Sequence, residues 1–580
     1  MNDNYSDFNI NNLPDKESAR KIYKEQRNNN KPLIYKLLIF AGVFLLLAVL
    51  CFAGLFSACS KTNMSYSSTA KSLYKRSMKS DEIELTSKEK ALDSHWKDAE
   101  KAVTKYIDKG VSKYCEGDLA YKDTVNMLNA FSQLKNAKDI CETKLAAVEK
   151  IEKGRDGLSK AKDHKIHGDY ISAIEAYMSV PKEDKLNYKE ANKKAKELIK
   201  TNRDAISYEI NGYLAKYDIQ GAFDYVGRFT ESFGDSDFFK SEVKRIEEYE
   251  KFQTELVTYK GSVEHVFTHC LIAFPELCYS SPSMTASLDE DCITPYEFIK
   301  IFEALYEKDY ILIDINILVN EQPDGSVKLA ELKIPKGKKP LVFSIDDVTY
   351  DSRKMHTGMV DKLIVDEKGM VCTYTLQDGK EIISYENEIF PIINDFVRKH
   401  PDFTFQGARG TLCHTGFDGL YGYRTQSTPL DGENVNREEE IEQAKKVAEA
   451  LRNEGWTFAS HSYGHSQMGD MSVNYIKEDT DNWIDEVTPI IGDTKVMVWP
   501  YGNKIREGVA HDYLYNNGFR IFCGVGVAPF LAYEPDGKSV FMDRKSLDGF
   551  ALRNRREKYL YLFDTEEVWD PVRPKEETWK

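Results

Sequence analysis

Residues 456–465 read Trp456-Thr457-Phe458-Ala459-Ser460-His461-Ser462-Tyr463-Gly464-His465. A short, largely apolar run opens into a turn that carries two imidazoles four positions apart. Upstream, Arg437–Glu454 has the three- and four-residue apolar spacing of an amphipathic helix. Further upstream, strand-like Val263–Ile272 leads to an amphipathic helix at Tyr296–Lys308 and a strand at Tyr310–Val319. Lys336-Gly-Lys-Lys-Pro340 precedes a strong strand at Leu341–Ile345, and Asn387–His400 reads as a helix. Downstream, Val496–Trp499 and Phe519–Val525 are strand-like. Strands separated by helices predict parallel βα units, and five or more in about 300 residues predict a barrel-like α/β domain.

The ends of these strands carry chemistry. Leu341–Ile345 ends in Asp346-Asp347, Trp456–Ser460 in the two histidines, and Val496–Trp499 in Pro500-Tyr501-Gly502; the first strand carries His269. Catalytic groups of α/β barrels sit at this end of the strands. Two imidazoles and one carboxylate suit a divalent metal with positions left open for water and substrate. His461 and His465 reach one ion across a single turn, and a second, adjacent carboxylate can serve as a base.

These residues carry a resemblance. The chain resembles the polysaccharide deacetylase (NodB-like) carbohydrate esterases over about residues 262–550. The family's T-F-D-D-G corresponds to Ser344-Ile345-Asp346-Asp347-Val348, and H-S/T-x-x-H is matched in full by His461–His465. R-x-P-Y-G corresponds to Val498-Trp499-Pro500-Tyr501-Gly502, without the Arg. The resemblance implies a distorted (β/α)7 barrel. It implies Asp346 as base, with Asp347, His461 and His465 holding a divalent metal: zinc first, with cobalt, nickel or manganese as alternatives. The Tyr501 amide would bind the oxyanion, with Trp499 and Pro500 beside it. The family's L-x-H acid motif has no match after residue 525. Circularly permuted members begin with a strand ending in His, and residues 262–347 follow that order, which implies His269 as the acid. Arg544 is expected to brace Asp346. Val348 stands where the family has a close-turning Gly, and the Gly-rich segment 407–424 is expected to form a substrate loop containing His414. These departures mark a divergent branch.

The rest of the chain sets the context. Residues 1–32 read as a disordered cytoplasmic tail and 33–59 as a single transmembrane helix. Leu37–Cys59 carries no charge and spans about 34 Å as a helix. Arg20, Lys21, Lys24, Arg27, Lys31 and Lys36 precede it, so the N-terminus is expected in the cytoplasm and the remainder outside. A lipoprotein signal ending Phe56-Ser57-Ala58-Cys59 would instead place a lipid on Cys59; either way the membrane is a partner. Residues 60–87 read as a linker. Residues 88–258 read as an all-α, tetratricopeptide-like helical-hairpin region, with Gly168-Asp169-Tyr170, Ala173 and Tyr177 at the expected small, turn and packing positions. Such a region is either a surface for a protein partner or a spacer. The barrel is expected over 259–552 and a C-terminal tail over 553–580.

Net charge of −15 excludes the counterion-driven attraction that nucleic-acid binding rests on. The expected function is a membrane-anchored extracellular metal-dependent deacetylase, removing N-acetyl or O-acetyl groups from an amino-sugar polysaccharide. The alternative is a catalytically inactive glycan-binding barrel whose helical region recruits a partner. A scaffold carried by the helices is a third possibility.

Overall fold

The computed structural model describes residues 63–580 apart from 81, 82, 235, 281, 429–434 and 577–580. The expected tail 1–32 and membrane segment Leu37–Cys59 lie outside these residues. Among the described residues no helix is long and apolar enough to cross a membrane. The chain divides into two compact units at Leu198/Ile199.

The first unit is helical. The expected linker 60–87 is in part a helix, Asn63–Ser77. Ala70 and Leu73 on that helix are fully buried, and Tyr66 and Tyr74 pack against the same core. Their three- and four-residue spacing is the apolar stripe that a Ser- and Lys-rich composition conceals. Gly168 has a left-handed φ of 78°. Asp169 then caps the helix Tyr170–Met178 by accepting from the Ser172 amide at 3.1 Å. Ala173 and Tyr177 on that helix are buried, as a helical-hairpin contact requires.

The second unit begins well before the expected barrel boundary at 258/259. Helices Arg203–Leu214, Ile219–Phe233 and Asp237–Thr254 belong to it. They are tied to the barrel by side chains: Tyr208 donates to Asp395 at 2.6 Å, and Gln253 donates to the Thr404 carbonyl at 2.8 Å. Buried Arg409 donates to the Ala215 carbonyl at 2.8 Å.

The barrel strands are β1 (Glu264–His269), β2 (Tyr310–Leu312), β3 (Lys339–Asp346), β4 (Thr411–His414), β5 (Thr457–Ser460), β6 (Val496–Val498), β7 (Ile521–Val525), β8 (Phe530–Tyr533) and β9 (Val540–Ser546). Seven of them close a parallel ring in the order β4-β5-β6-β7-β9-β1-β3, with β3 pairing back to β4. This is the expected α/β barrel. β2 extends the sheet along the first half of β3, and β8 runs antiparallel on β9. The β1–β3 register sets His269 opposite Asp346. Inside the ring, Ile311, Val342, Cys413, Ala459, Val498, Cys523 and Met542 pack as a buried core.

The expected C-terminal tail is packed into the same unit. Tyr559, Leu562, Phe563 and Val568 are buried. Fully buried Arg573 donates to Glu297 twice, both at 2.7 Å, to Asp289 Oδ1 at 2.7 Å and to the Cys292 carbonyl at 2.9 Å. A segment that supplies a fully paired buried cation is a structural strap, because removing either partner would strand a charge in the core.

One buried carboxyl gives the unit a pH-dependent stability. Glu388 is fully buried; it caps the helix Ile389–Lys399 and accepts from the Leu271 amide at 3.2 Å. Burial pushes its pKa up to about 7, and the amide bonds only partly oppose this. The folded pKa lies above the unfolded one, so the native state holds a proton that the unfolded state has released. Its contribution is therefore full below about pH 4.5 and is lost as pH rises through 7, to a total of up to ~3 kcal/mol. Urea unfolding at pH 5 and pH 8 checks this: the parent should lose stability over that interval more steeply than Glu388→Gln.

Candidate active site

Strand ends β1, β3, β5 and β6 converge on one cleft of about 430 Å³, lined by His269, Asp346, Asp347, His461, His465, Tyr501 and Arg544 among others. The ligand atoms of Asp347, His461 and His465 all lie within 4.8 Å of one another. His465 Nε2 is 3.6 Å from Asp347 Oδ2.

The surroundings fix which nitrogen faces the cleft. His461 Nδ1 is 2.9 Å from the Val498 carbonyl, so it carries the proton and leaves Nε2 as the lone-pair atom. His465 Nδ1 is 3.1 Å from the Tyr501 hydroxyl, and the two rings meet edge-on. The turn between the histidines is pinned by Asp479, which accepts from the Tyr463 and Gly464 amides, both at 2.8 Å. Asp347, Ser462, His465 and Tyr501 all have left-handed φ values, between 51° and 57°. Such conformations cost about 1–3 kcal/mol each in non-glycine residues and cluster where side chains must be aimed.

The donor set fits a divalent cation. Asp347 Oδ1 is buried and has no hydrogen-bond partner, an arrangement that costs free energy unless something positive sits there. Burial opposes the charge of Asp347, but His465, His461 and His269 together hold its carboxyl below the usual range. Two imidazole nitrogens and one carboxylate oxygen are the ligand type that suits zinc and its borderline neighbours.

Asp346 has a different role. It is buried, and burial alone would raise its pKa. The Arg544 guanidinium, with His461, reverses this and holds it well below the usual range. Arg544 is bidentate on it at 2.6 and 2.9 Å and also donates to Ser344 Oγ at 3.2 Å. The expected brace is therefore in place, supplied by β9. His269 Nδ1 is 2.9 Å from the Asp291 carbonyl, and Nε2 faces Asp347 Oδ2 at 3.9 Å. The Asp291 carbonyl belongs to the turn that Arg573 clamps through Asp289 and Cys292.

Three expected site residues sit differently. His414, at the end of β4, is buried away from the cleft against Tyr421 and Phe458. Burial pushes its pKa down to about 3, which keeps the ring neutral. Trp499 is fully buried and stacks on Phe522 at 5.8 Å, and Pro500 is buried beside it. Tyr501 alone of that motif opens to the cleft, at 66% exposure. The Gly-rich segment supports the Asp pair from below: the Tyr421 and Gly422 amides donate to the Val348 and Thr349 carbonyls at 2.9 Å. Gly422 has φ 92°, and a Cβ there would meet Lys362 Cβ at 2.3 Å, so the close approach requires glycine. Phe417 from the same segment does line the cleft.

Sequence reasoning missed Lys354, Asp291, Asp548 and Arg555, which also line the cleft. The signal available for Lys354 was its place on the loop after the Asp pair, the one for Asp548 and Arg555 their place just after β9.

Residues 431–519 match the family model described as Polysaccharide deacetylase. The match includes His461, His465 and Pro500-Tyr501-Gly502 and leaves out β1 and β3. The chain thus contains a polysaccharide deacetylase domain. No curated protein matches the chain. Among solved structures, it is similar to Streptococcus pyogenes deacetylase PplD in complex with acetate, at 13% identity, covering 53% of this chain and 100% of that chain, with a TM-score of 0.30.

Proposed function

We propose that the chain is a membrane-anchored, extracellular, metal-dependent deacetylase that removes N-acetyl or O-acetyl groups from a cell-wall or secreted amino-sugar polysaccharide. The observation that carries this reading is the convergence of Asp347, His461 and His465, flanked by an ionised Asp346 and a cleft-facing His269.

Asp347, His461 and His465 would hold a divalent cation, which when bound would supply the positive charge that acidifies water and polarises the acetyl oxygen. Asp346, kept ionised and oriented by Arg544, accepts the proton of the attacking water. With Nδ1–H directed at the Asp291 carbonyl, His269 gains and loses its second proton at Nε2. That proton passes to the leaving nitrogen as the C–N bond breaks, and acetate keeps the oxygen from water. The amide of Tyr501 stabilises the oxyanion, by its resemblance to the family motif. The order of the strands, with the acid on β1 ahead of the Asp pair, agrees with a circularly permuted branch.

The test is metal content of the purified full-length chain, measured together with acetate release from N-acetylated chitotetraose and from peptidoglycan. About one divalent ion per chain and release of acetate are expected. A metal-replete chain that holds no ion at this site ends the mechanism. One that binds ion and glycan but releases no acetate is the inactive glycan-binding barrel. The orientation is checked by protease added to intact cells, which should release the barrel.

A further inference from the structure

β1 carries His269 at its end, but the aim of the ring is set by another element. The last carbonyls of a helix find no amide partner within it. In the helix Pro282–Asp291 one of these, the Asp291 carbonyl, accepts from His269 Nδ1 at 2.9 Å. A carbonyl can only accept, so the proton sits on Nδ1 and Nε2 is the nitrogen turned to the cleft. Phe267 meets the ring edge-on at 6.3 Å and offers no polar atom. The place of that helix end therefore decides the direction of the acid.

The helix end is held by residues that follow the last barrel strand, β9. Asp548 caps the helix Gly549–Asn554 by accepting from the Ala551 amide at 2.6 Å. Arg553 of this helix donates to Asp289 Oδ2 at 2.6 Å and to the Pro574 carbonyl at 2.9 Å. Arg573 donates to Asp289 Oδ1 at 2.7 Å, to the Asp289 carbonyl at 3.0 Å and to the Cys292 carbonyl at 2.9 Å. Asp289 is thus gripped by two guanidiniums, at 1% exposure. Gly549 closes the contact: a Cβ there would overlap the Asp289 carbonyl oxygen and crowd Arg573 Nη1. Asp289 and Asp291 lie within one helical turn, so a shift of the first carries the second with it.

We propose that Arg553 and Arg573 are positioning residues for the acid: by clamping Asp289 they hold the Asp291 carbonyl against His269 Nδ1 and keep Nε2 aimed at the leaving nitrogen. This rests on the deacetylase reading of the cleft. The end of the chain then serves both proton carriers, since Arg544 of β9 braces Asp346 and residues 549–573 orient His269. The clamp matters where the departing group needs a proton. An amine leaves only once its nitrogen takes the proton from Nε2, whereas nitrophenolate leaves as the anion.

The experiment assays the full-length, metal-replete chain on N-acetylated chitotetraose and on nitrophenyl acetate. Arg573→Met would strand buried Glu297, so the variants are Arg553→Met and Gly549→Ala; the second leaves every charge in place and displaces the backbone at Asp289. Each should lower kcat on chitotetraose about tenfold or more with KM nearly unchanged, and nitrophenyl acetate hydrolysis less than about twofold. Arg553→Lys should recover most of the loss. A second readout needs no turnover: nitrogen NMR of the histidine-labelled chain in alkaline solution, where imidazoles are neutral, reports which ring nitrogen carries the proton, with His269→Gln identifying the signal. The parent should show Nδ1–H, and both variants a mixture of the two tautomers. Parental kcat on chitotetraose in either variant overturns the proposal, as does an equal loss on both substrates, which marks a purely structural role. If the parent releases no acetate from chitotetraose, the deacetylase reading falls and the tautomer decides the proposal: Nδ1–H retained in either variant overturns it.

Discussion

Replacing Asp347 by Asn is expected to lower acetate release by about 10³-fold or more, the equivalent of ~4 kcal/mol of transition-state stabilisation. Asparagine keeps the size of the side chain and tolerates the left-handed backbone that Asp347 adopts, so the fold should persist. What it removes is the anionic oxygen ligand between the two histidines. The second readout is thermal. At a metal concentration one-hundredfold above Kd, the parent should gain about 2.7 kcal/mol of stability. The variant should gain almost none, with an unfolding midpoint that does not respond to added metal or chelator. A variant that keeps its metal and its turnover would show that the triad is not the reaction centre.

Replacing Arg544 by Met is expected to cost about 3–5 kcal/mol, because it leaves Asp346 buried with its main counter-charge gone. Arg544 and Asp346 are both almost fully buried, so solvent cannot take over the role of the partner. Methionine preserves part of the packing over Phe267, where the guanidinium lies 4.0 Å from the ring centre. The pH response should change sign. In the parent, the folded pKa of Asp346 lies below the unfolded value of about 3.9, so its stabilisation is present above that pH and is lost on acidification. In the variant, burial dominates and the folded pKa rises above the unfolded one. Stability then falls as pH increases through the new pKa. Denaturant titrations of both proteins from pH 2 to pH 8 should show this contribution rising with pH up to about 5 and then level in the parent, and falling with pH in the variant. Parallel curves would mean that Arg544 does not control the ionisation of Asp346.

The chemistry was legible in the sequence where it sits at strand ends. Asp346-Asp347 and His461–His465 each follow an apolar run, so a local pattern identifies both the strand and the reactive turn. Arg544 was also within reach, because Asp543-Arg544 lies on a strand near the C-terminus. Other parts depend on partners far away in the chain. His414 ends β4 as His461 follows β5, but its ring points into the packed layer, and only the tilt of neighbouring strands decides which way a terminal side chain faces. Helices Arg203–Leu214 to Asp237–Thr254 have the same apolar periodicity whichever unit buries their stripe, so their membership of the barrel unit could not be read locally. The strap around Arg573 has few apolar residues, and its role is set by Glu297 and Asp289.

That strap has a consequence for timing. Arg573 and Asp289 are 284 positions apart, and β1 finds its neighbour β9 only after nearly the whole domain has been made. Closing so long a loop is entropically slow, and contacts of this kind form late. Synthesis from the N-terminus makes His269 early, but Arg553 and Arg573, which both hold Asp289 beside the Asp291 carbonyl, are made late. His269 therefore gains this clamp on its hydrogen-bond partner only after residues as late as Arg573 have been made. Until that segment docks, one wall of the cleft, the turn at Asp289–Cys292, lacks the charge that pins it.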